Sequence, residues 1–319
     1  MSSKKPVVVL DGGTGSSLAE MGFQEIEGDP LWSALVVNTS PQAVVDLHKA
    51  FLQNGADVVV SATYQASIEG HMKRFGLSEA QAADLITEGV NLARRARNEV
   101  QENTGRACWV AGSVGPYGAI LCDRSEYNGR YAESMSIQEL TSWHIPRLAA
   151  ILKGQPDILA IETIPVVKEV EAILESLKKF PGAKAWVSYQ CKDGGHTGHG
   201  ENIRDAMRAA VQSDQVVAVG VNCTSPSHIT PILQAVEPLR LTVPILVKPN
   251  RGCDSLGYVS EQTSSKLSLA EMATEWIAQG ASMVGGCCEY NPGDIGELRR
   301  SLEARADITL CGMTRLLTN

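Results

Sequence analysis

Residues 282–290 read SMVGGCCEY: a short apolar run, two glycines, then the adjacent cysteines Cys287 and Cys288. A third cysteine, Cys223, closes the earlier stretch VVAVGVNC. Three thiolates suit zinc, which takes soft sulfur ligands in a tetrahedral arrangement. Three protein ligands with no evident fourth leave one position open, the pattern of a catalytic rather than a structural ion. A structural site more often shows paired CxxC motifs, and this chain has none. The glycines ahead of the pair are expected to supply the backbone freedom that two successive side chains need to reach one ion. Adjacent cysteines also arise by chance, so spacing alone leaves both readings open.

The eight cysteines stand at 108, 122, 191, 223, 253, 287, 288 and 311. Cys108 in RACWVAGS and Cys191 in AWVSYQC sit in apolar runs and read as small buried hydrophobes. The opening MSSKKPVVVLDGG stops being apolar at Asp11, too soon for a signal sequence. No window approaches the roughly 18 uninterrupted apolar residues of a membrane helix. The cysteines are therefore expected to be thiols or metal ligands in a reducing compartment. With 44% hydrophobic and 20% charged residues, the 319-residue chain can bury a full core. Its net charge of −8 argues against nucleic acid and anionic membranes as partners. The expectation is a soluble cytoplasmic protein.

Such groups need a scaffold. Eight apolar runs read as strands: VVVLDGG, DVVVSATY, CWVAGSVG, DILAIET, KAWVSYQ, VVAVGVNC, VPILVKPN and ASMVGGCC. They are continuous rather than alternating, as in parallel strands covered on both faces. Helical patterns lie between them. Ser40 with Pro41 marks one start and Gly55 its stop; Ser78 with Gln81, Ser136 with Glu139 and Ser268 with Glu271 have capping-box spacing. Eight strand–helix units predict an α/β protein, a (β/α)8 TIM barrel in a single domain over residues 1–319. An open doubly wound sheet is the runner-up. The connections 115–135 and 250–267 are long for a compact domain, a mark of function.

In a barrel the strands' C-terminal ends share one rim, where working groups gather. Asp11-Gly12-Gly13, Thr63-Tyr64, Ser113, Glu162-Thr163, Asn222-Cys223, Asn250 and Cys287-Cys288 would meet there, and Cys223 would come within reach of the pair. His196 and His199 form a competing HxxH set, but the glycines around them favour a loop over the helix that would hold such ligands. DGGTGSS lacks the spacing of a dinucleotide or P-loop cradle.

An LDGGTG opening followed in order by DPLWSALVV, SATYQAS, AGSVGPYGA, IETIP, GVNC and GGCC resembles the homocysteine S-methyltransferase family. The likeness runs from about residue 7 to about residue 305 and is nearer the S-methylmethionine-using members than the betaine-using ones. It implies zinc held at Cys223, Cys287 and Cys288, and transfer of a methyl group to homocysteine sulfur, giving methionine. It also implies that Glu162 meets the substrate ammonium, that Asp11, Gly12 and Gly13 surround the substrate, and that Ser33 is a small hydroxyl residue nearby. Trp32 and Tyr64 offer aromatic faces for an onium donor, core packing being the alternative for each. Thr163 replaces the tyrosine of betaine-using members. The chain departs from the family where KPNRG brings Lys248 and Arg251, charges unhelpful to a cationic donor unless they pair with acids, and at Glu289. These departures keep open a non-catalytic or differently specific zinc- or thiol-binding barrel, selenocysteine methyl transfer included. The subunit count is not legible.

Overall fold

The structure is a computed structural model that describes residues 4–251 and 267–313. Cys253 and most of the 250–267 connection lie outside the described residues. Each expected apolar run forms a strand: β1 (Lys5–Val9), β2 (Val58–Val60), β3 (Trp109–Val114), β4 (Ile158–Ile164), β5 (Ala185–Tyr189), β6 (Val216–Asn222), β7 (Ile245–Lys248) and β8 (Ala281–Val284). A ninth, β9 (Ile308–Leu310), is too short and too mixed to read from its sequence.

The sheet runs β2-β3-β4-β5-β6-β7-β8-β1-β9, with every strand pair parallel. A parallel bridge between Leu10 and Val58 brings β1 against β2 and closes the eight strands into a barrel. Asp57 locks that seam: its amide donates to the Val9 carbonyl at 2.7 Å, and its carboxylate accepts from the Val9 amide at 2.9 Å. Strand order follows chain order without the reversal a doubly wound sheet requires. The (β/α)8 expectation therefore holds, with β9 added beside the start of β1.

Parallel strands need long crossovers, and helices supply them. All three expected capping boxes form, heading the helices Glu79–Thr104, Ile137–Lys153 and Leu269–Ala278. Ser40 and Pro41 do start the helix Pro41–Gln53, although the Ser40 side chain makes no capping bond. No helix among the described residues is long and apolar enough to cross a membrane.

Successive strand side chains point to opposite faces. Val7 and Val9 pack outward against helices, while Val8 and Leu10 point inward with Val58, Val60, Ala111, Ile158, Ala160, Trp186, Ala218, Leu246 and Met283. These inward residues form a dry plug that floors everything above it. The expected long connection after β3 folds into two 3-10 turns, Tyr117–Leu121 and Ser125–Tyr127, and the short helix Tyr131–Ser134. Fully buried Glu169 anchors it, accepting from the Tyr117 amide at 2.6 Å, from His144 Nε2 at 2.9 Å and from the Tyr131 hydroxyl.

Candidate active site

Above the apolar plug, the same inward register turns polar. Two residues beyond Ala111, Ala160, Trp186 and Leu246 stand Ser113, Glu162, Ser188 and Lys248, and Asn222 ends β6 on the same face as Ala218. Ser113 donates to Glu162. Ser188 donates to Asn222 Oδ1 at 2.7 Å, which also accepts from the Thr163 amide at 2.7 Å, while Asn222 Nδ2 donates to Thr163 Oγ1 at 2.7 Å. Asn222 thus clamps Thr163 at φ +62°, a conformation that a β-branched residue rarely adopts. Trp32, Cys223 and Glu289 also have positive φ, so backbone strain collects around this rim.

The three expected sulfurs meet. Cys223 Sγ lies 2.9 Å from Cys287 Sγ and 3.7 Å from Cys288 Sγ, and all three fall within 4.8 Å of one another. Tetrahedral thiolates about 2.3 Å from zinc stand roughly 3.8 Å apart, so the set fits such an ion after a small spreading of one pair. Hydrogen bonds from the Cys223 and Cys288 thiols, with Lys248 nearby, hold the Cys287 thiol well below the ordinary thiol range. Turn geometry aims the sulfurs: the Cys223 amide bonds the Lys248 carbonyl at 3.0 Å, and the Cys287 amide bonds the Pro249 carbonyl at 2.7 Å.

Gly285 and Gly286 correct one expectation. Neither has positive φ among the described glycines. A Cβ on Gly286 would sit 2.3 Å from the Tyr290 side chain, and one on Gly285 would sit 2.7 Å from the Asp11 carbonyl oxygen. These glycines permit close approach rather than an unusual turn.

Lys248 proves to be built in. Its Nζ lies 2.7 Å from Asp11 Oδ1, and Asp11 also accepts from the Val60 amide at 2.7 Å. Burial would push the Lys248 ammonium down, but Asp11, Glu162 and Cys287 outweigh that and hold it above the usual lysine range. Burial raises Asp11, and Lys248 opposes the rise. Arg251 turns to Asp294 and lies 4.5 Å from the Tyr290 ring centroid. Both cations that depart from the family pattern are therefore paired with acids. Breaking a buried pair from one side leaves a stranded charge, so Asp11→Ala is expected to cost about 3–5 kcal/mol of stability, read by urea unfolding. A loss below about 1 kcal/mol would show that Lys248 finds another partner or sheds its proton.

A cavity of about 480 Å³ opens over the sulfurs. Gly12, Gly13, Trp32, Ser33, Tyr64, Glu162, Thr163 and the three cysteines line it, as does Lys248. Asp11 does not: it is fully buried behind Lys248. The Gly13 amide is already committed to the Tyr290 carbonyl at 2.9 Å. The Trp32 and Tyr64 rings meet edge to face, 5.9 Å between centroids. Glu162 is nearly buried; burial lifts its carboxyl to about 7, with Lys248 and Ser113 opposing the rise. Glu289 lies outside the lining, its amide bonded to Ser16 Oγ at 2.9 Å.

Sequence reasoning missed Cys122, Arg124, Glu126 and Tyr127, which the connection after β3 brings to the cavity wall. Its length was the only signal. Cys108 and Cys191 are buried, as expected of packing residues. The histidine set does not assemble: His196 pairs with Asp193 at 3.0 Å and His199 with Glu201 at 3.1 Å. Among the described residues, the three cysteines are the only cluster of His, Cys, Asp or Glu placed to share a metal ion.

Comparison with known proteins adds an independent line. The family model described as homocysteine S-methyltransferase matches residues 8–302. The betaine-homocysteine S-methyltransferase of Drosophila melanogaster is 37% identical over 94% of this chain and 95% of its own. The homocysteine S-methyltransferase of Escherichia coli (strain K12) is 37% identical over 93% and 95%. A crystal structure of the homocysteine methyltransferase MmuM from Escherichia coli, in a metallated form, superposes with a TM-score of 0.82 at 36% identity, covering 92% of this chain and 96% of that one.

Proposed function

The chain belongs to the homocysteine S-methyltransferase family, and from that premise we propose that it is a zinc enzyme transferring a methyl group from an onium donor to homocysteine. S-Methylmethionine is the donor put first and S-adenosylmethionine the second. The observation that carries the reading is the convergence of Cys223, Cys287 and Cys288 at one edge of an acid-lined cavity. Zinc bound to these three residues would supply the positive charge that stabilises an incoming thiol as its thiolate at neutral pH, the proton passing to solvent.

The chain's own groups do the rest. Glu162, pointing inward from β4, accepts the homocysteine ammonium. Lys248 keeps its charge matched to Asp11, so it does not repel a cationic donor. Trp32 and Tyr64 present aromatic surface to the onium centre. The methyl carbon bonds to homocysteine sulfur as its bond to the onium atom breaks, and that electron pair leaves with the departing group, now neutral. The plug beneath the cavity keeps the site closed from below.

Thr163 supports a sulfonium donor over betaine, as the family pattern implies. The pairing of Lys248 and Arg251 with acids supports the catalytic reading over the non-catalytic alternative. The test is a donor panel: zinc-loaded protein with homocysteine and S-methylmethionine, S-adenosylmethionine or betaine. Methionine is expected to form fastest with S-methylmethionine. Silence with all three would end the methyl-transfer reading, and faster turnover with betaine would end the donor assignment.

A further inference from the structure

Resting on that reading of the cavity, we propose that Glu126 is the residue that receives the onium centre of the methyl donor and so helps select a cationic donor. Glu126 comes from the Ser125–Tyr127 turn and lines the cavity. Among the described residues, its Oε2 is the only buried carboxylate oxygen without a hydrogen-bond partner. A buried polar atom left unpaired is costly, and in a cavity an ion or ligand that satisfies it is one explanation.

The chemistry favours an onium ion. A sulfonium or quaternary ammonium centre has no hydrogen to donate, so it is recognised by negative field and aromatic surface rather than by hydrogen bonds. Glu126 supplies the field beside such surface. Its charge acts on both Tyr64 and Tyr127, which line the cavity with Trp32. Burial lifts the Glu126 carboxyl to about 7, with Asp123 adding to the rise and Arg124 opposing it. A cation would relieve that penalty.

Glu126 and Glu162, which line the cavity together with Glu27 and Asp29, have different nearest charges. Glu162 stands with Lys248, Ser113 and Cys287, where the field is partly balanced. Glu126 acts more strongly on Tyr64 than Glu162 does, and has Cys122 and Asp123 in its surroundings. That division assigns one carboxylate to each substrate: Glu162 to homocysteine, Glu126 to the donor. The turn is also fixed in place. Ser125 donates its amide to Asp123 Oδ1 at 2.9 Å, and the segment around it hangs on Glu169.

The test compares wild-type protein with Glu126→Gln, which keeps shape and removes charge, and with Glu126→Ala as a second variant. Calorimetry follows binding of S-methylmethionine and, separately, of trimethylsulfonium, an onium probe with no amino group. Folding is checked by thermal unfolding, and zinc content and the KM for homocysteine are measured in parallel. The expected result is at least a tenfold loss of affinity for both probes, with zinc content and homocysteine KM unchanged. Equal affinity of wild type and both variants for trimethylsulfonium overturns the proposal. So does a loss confined to S-methylmethionine, which would make Glu126 a reader of the donor's amino group. Because binding is read without turnover, wild-type protein that binds onium probes through Glu126 but forms no methionine would fail the proposed function and leave this assignment standing.

Discussion

Cys223→Ser, Cys287→Ser and Cys288→Ser are each expected to lose bound zinc, from about one per chain to near none, together with methionine formation. Serine keeps the size of cysteine, but its hydroxyl is not ionised near neutral pH and is a harder, poorer zinc ligand. Altering even an outer partner of a metal ligand costs about 10- to 100-fold in affinity or activity, so removing a ligand should cost at least about 100-fold. The three sulfurs are the only metal-sharing cluster among the described residues, and no neighbouring His, Asp or Glu stands ready to substitute. Elemental analysis of the purified variants reads the metal, and a methionine assay reads the reaction. Full zinc content and undiminished turnover in all three would remove the centre of the proposal. Loss of zinc with retained turnover would separate the metal from the chemistry.

Glu162→Gln is the second large effect. The carboxylate is proposed to hold the homocysteine ammonium within a nearly buried site, and truncating one side of such a pair costs about 2–5 kcal/mol. That corresponds to roughly 30- to 5,000-fold in kcat/KM for homocysteine. The variant should keep its zinc, which distinguishes it from the cysteine changes. A pH dependence accompanies it. In the protein alone, burial holds the Glu162 carboxyl near 7. Below that value the group carries a proton and loses its charge, so kcat/KM for homocysteine, measured at saturating donor, should fall about tenfold per unit as pH drops below 7. Glu162→Gln should be slow at every pH and lack this acid limb. A wild-type profile with no acid limb between pH 5 and 7, or one that Glu162→Gln leaves in place, would assign the ammonium to another group.

Lys248 shows why a residue's role resists reading in one dimension. In KPNRG it is a charge in an awkward place; in the barrel it faces Asp11 at 2.7 Å across 237 positions of chain. Asp11 read as part of the substrate's surroundings, and its buried partnership with Lys248 appears only in the fold. Thr163 looked like a simple replacement, yet its strained backbone depends on two hydrogen bonds exchanged with Asn222, 59 residues away.

Local interactions were legible from the start. Continuous Val, Ile and Ala runs become parallel strands because they are covered on both faces, and capping boxes form because their partners lie three residues apart. The strand count and the rim at the strand ends follow from these, and they bring Cys223 to Cys287 and Cys288. Other features needed the closed barrel. Which alternate residues face inward, giving an apolar plug below and a polar layer above, depends on strand register across the sheet. Gly285 and Gly286 are required by neighbours distant in sequence, Tyr290 by its side chain and Asp11 by its carbonyl. Glu126 reaches the cavity only because the connection after β3 folds back over the mouth and is pinned by Glu169. Hydrogen bonding and side-chain period act along the chain and are written in it; closure, crowding and charge pairing act across space, so only the folded molecule decides them.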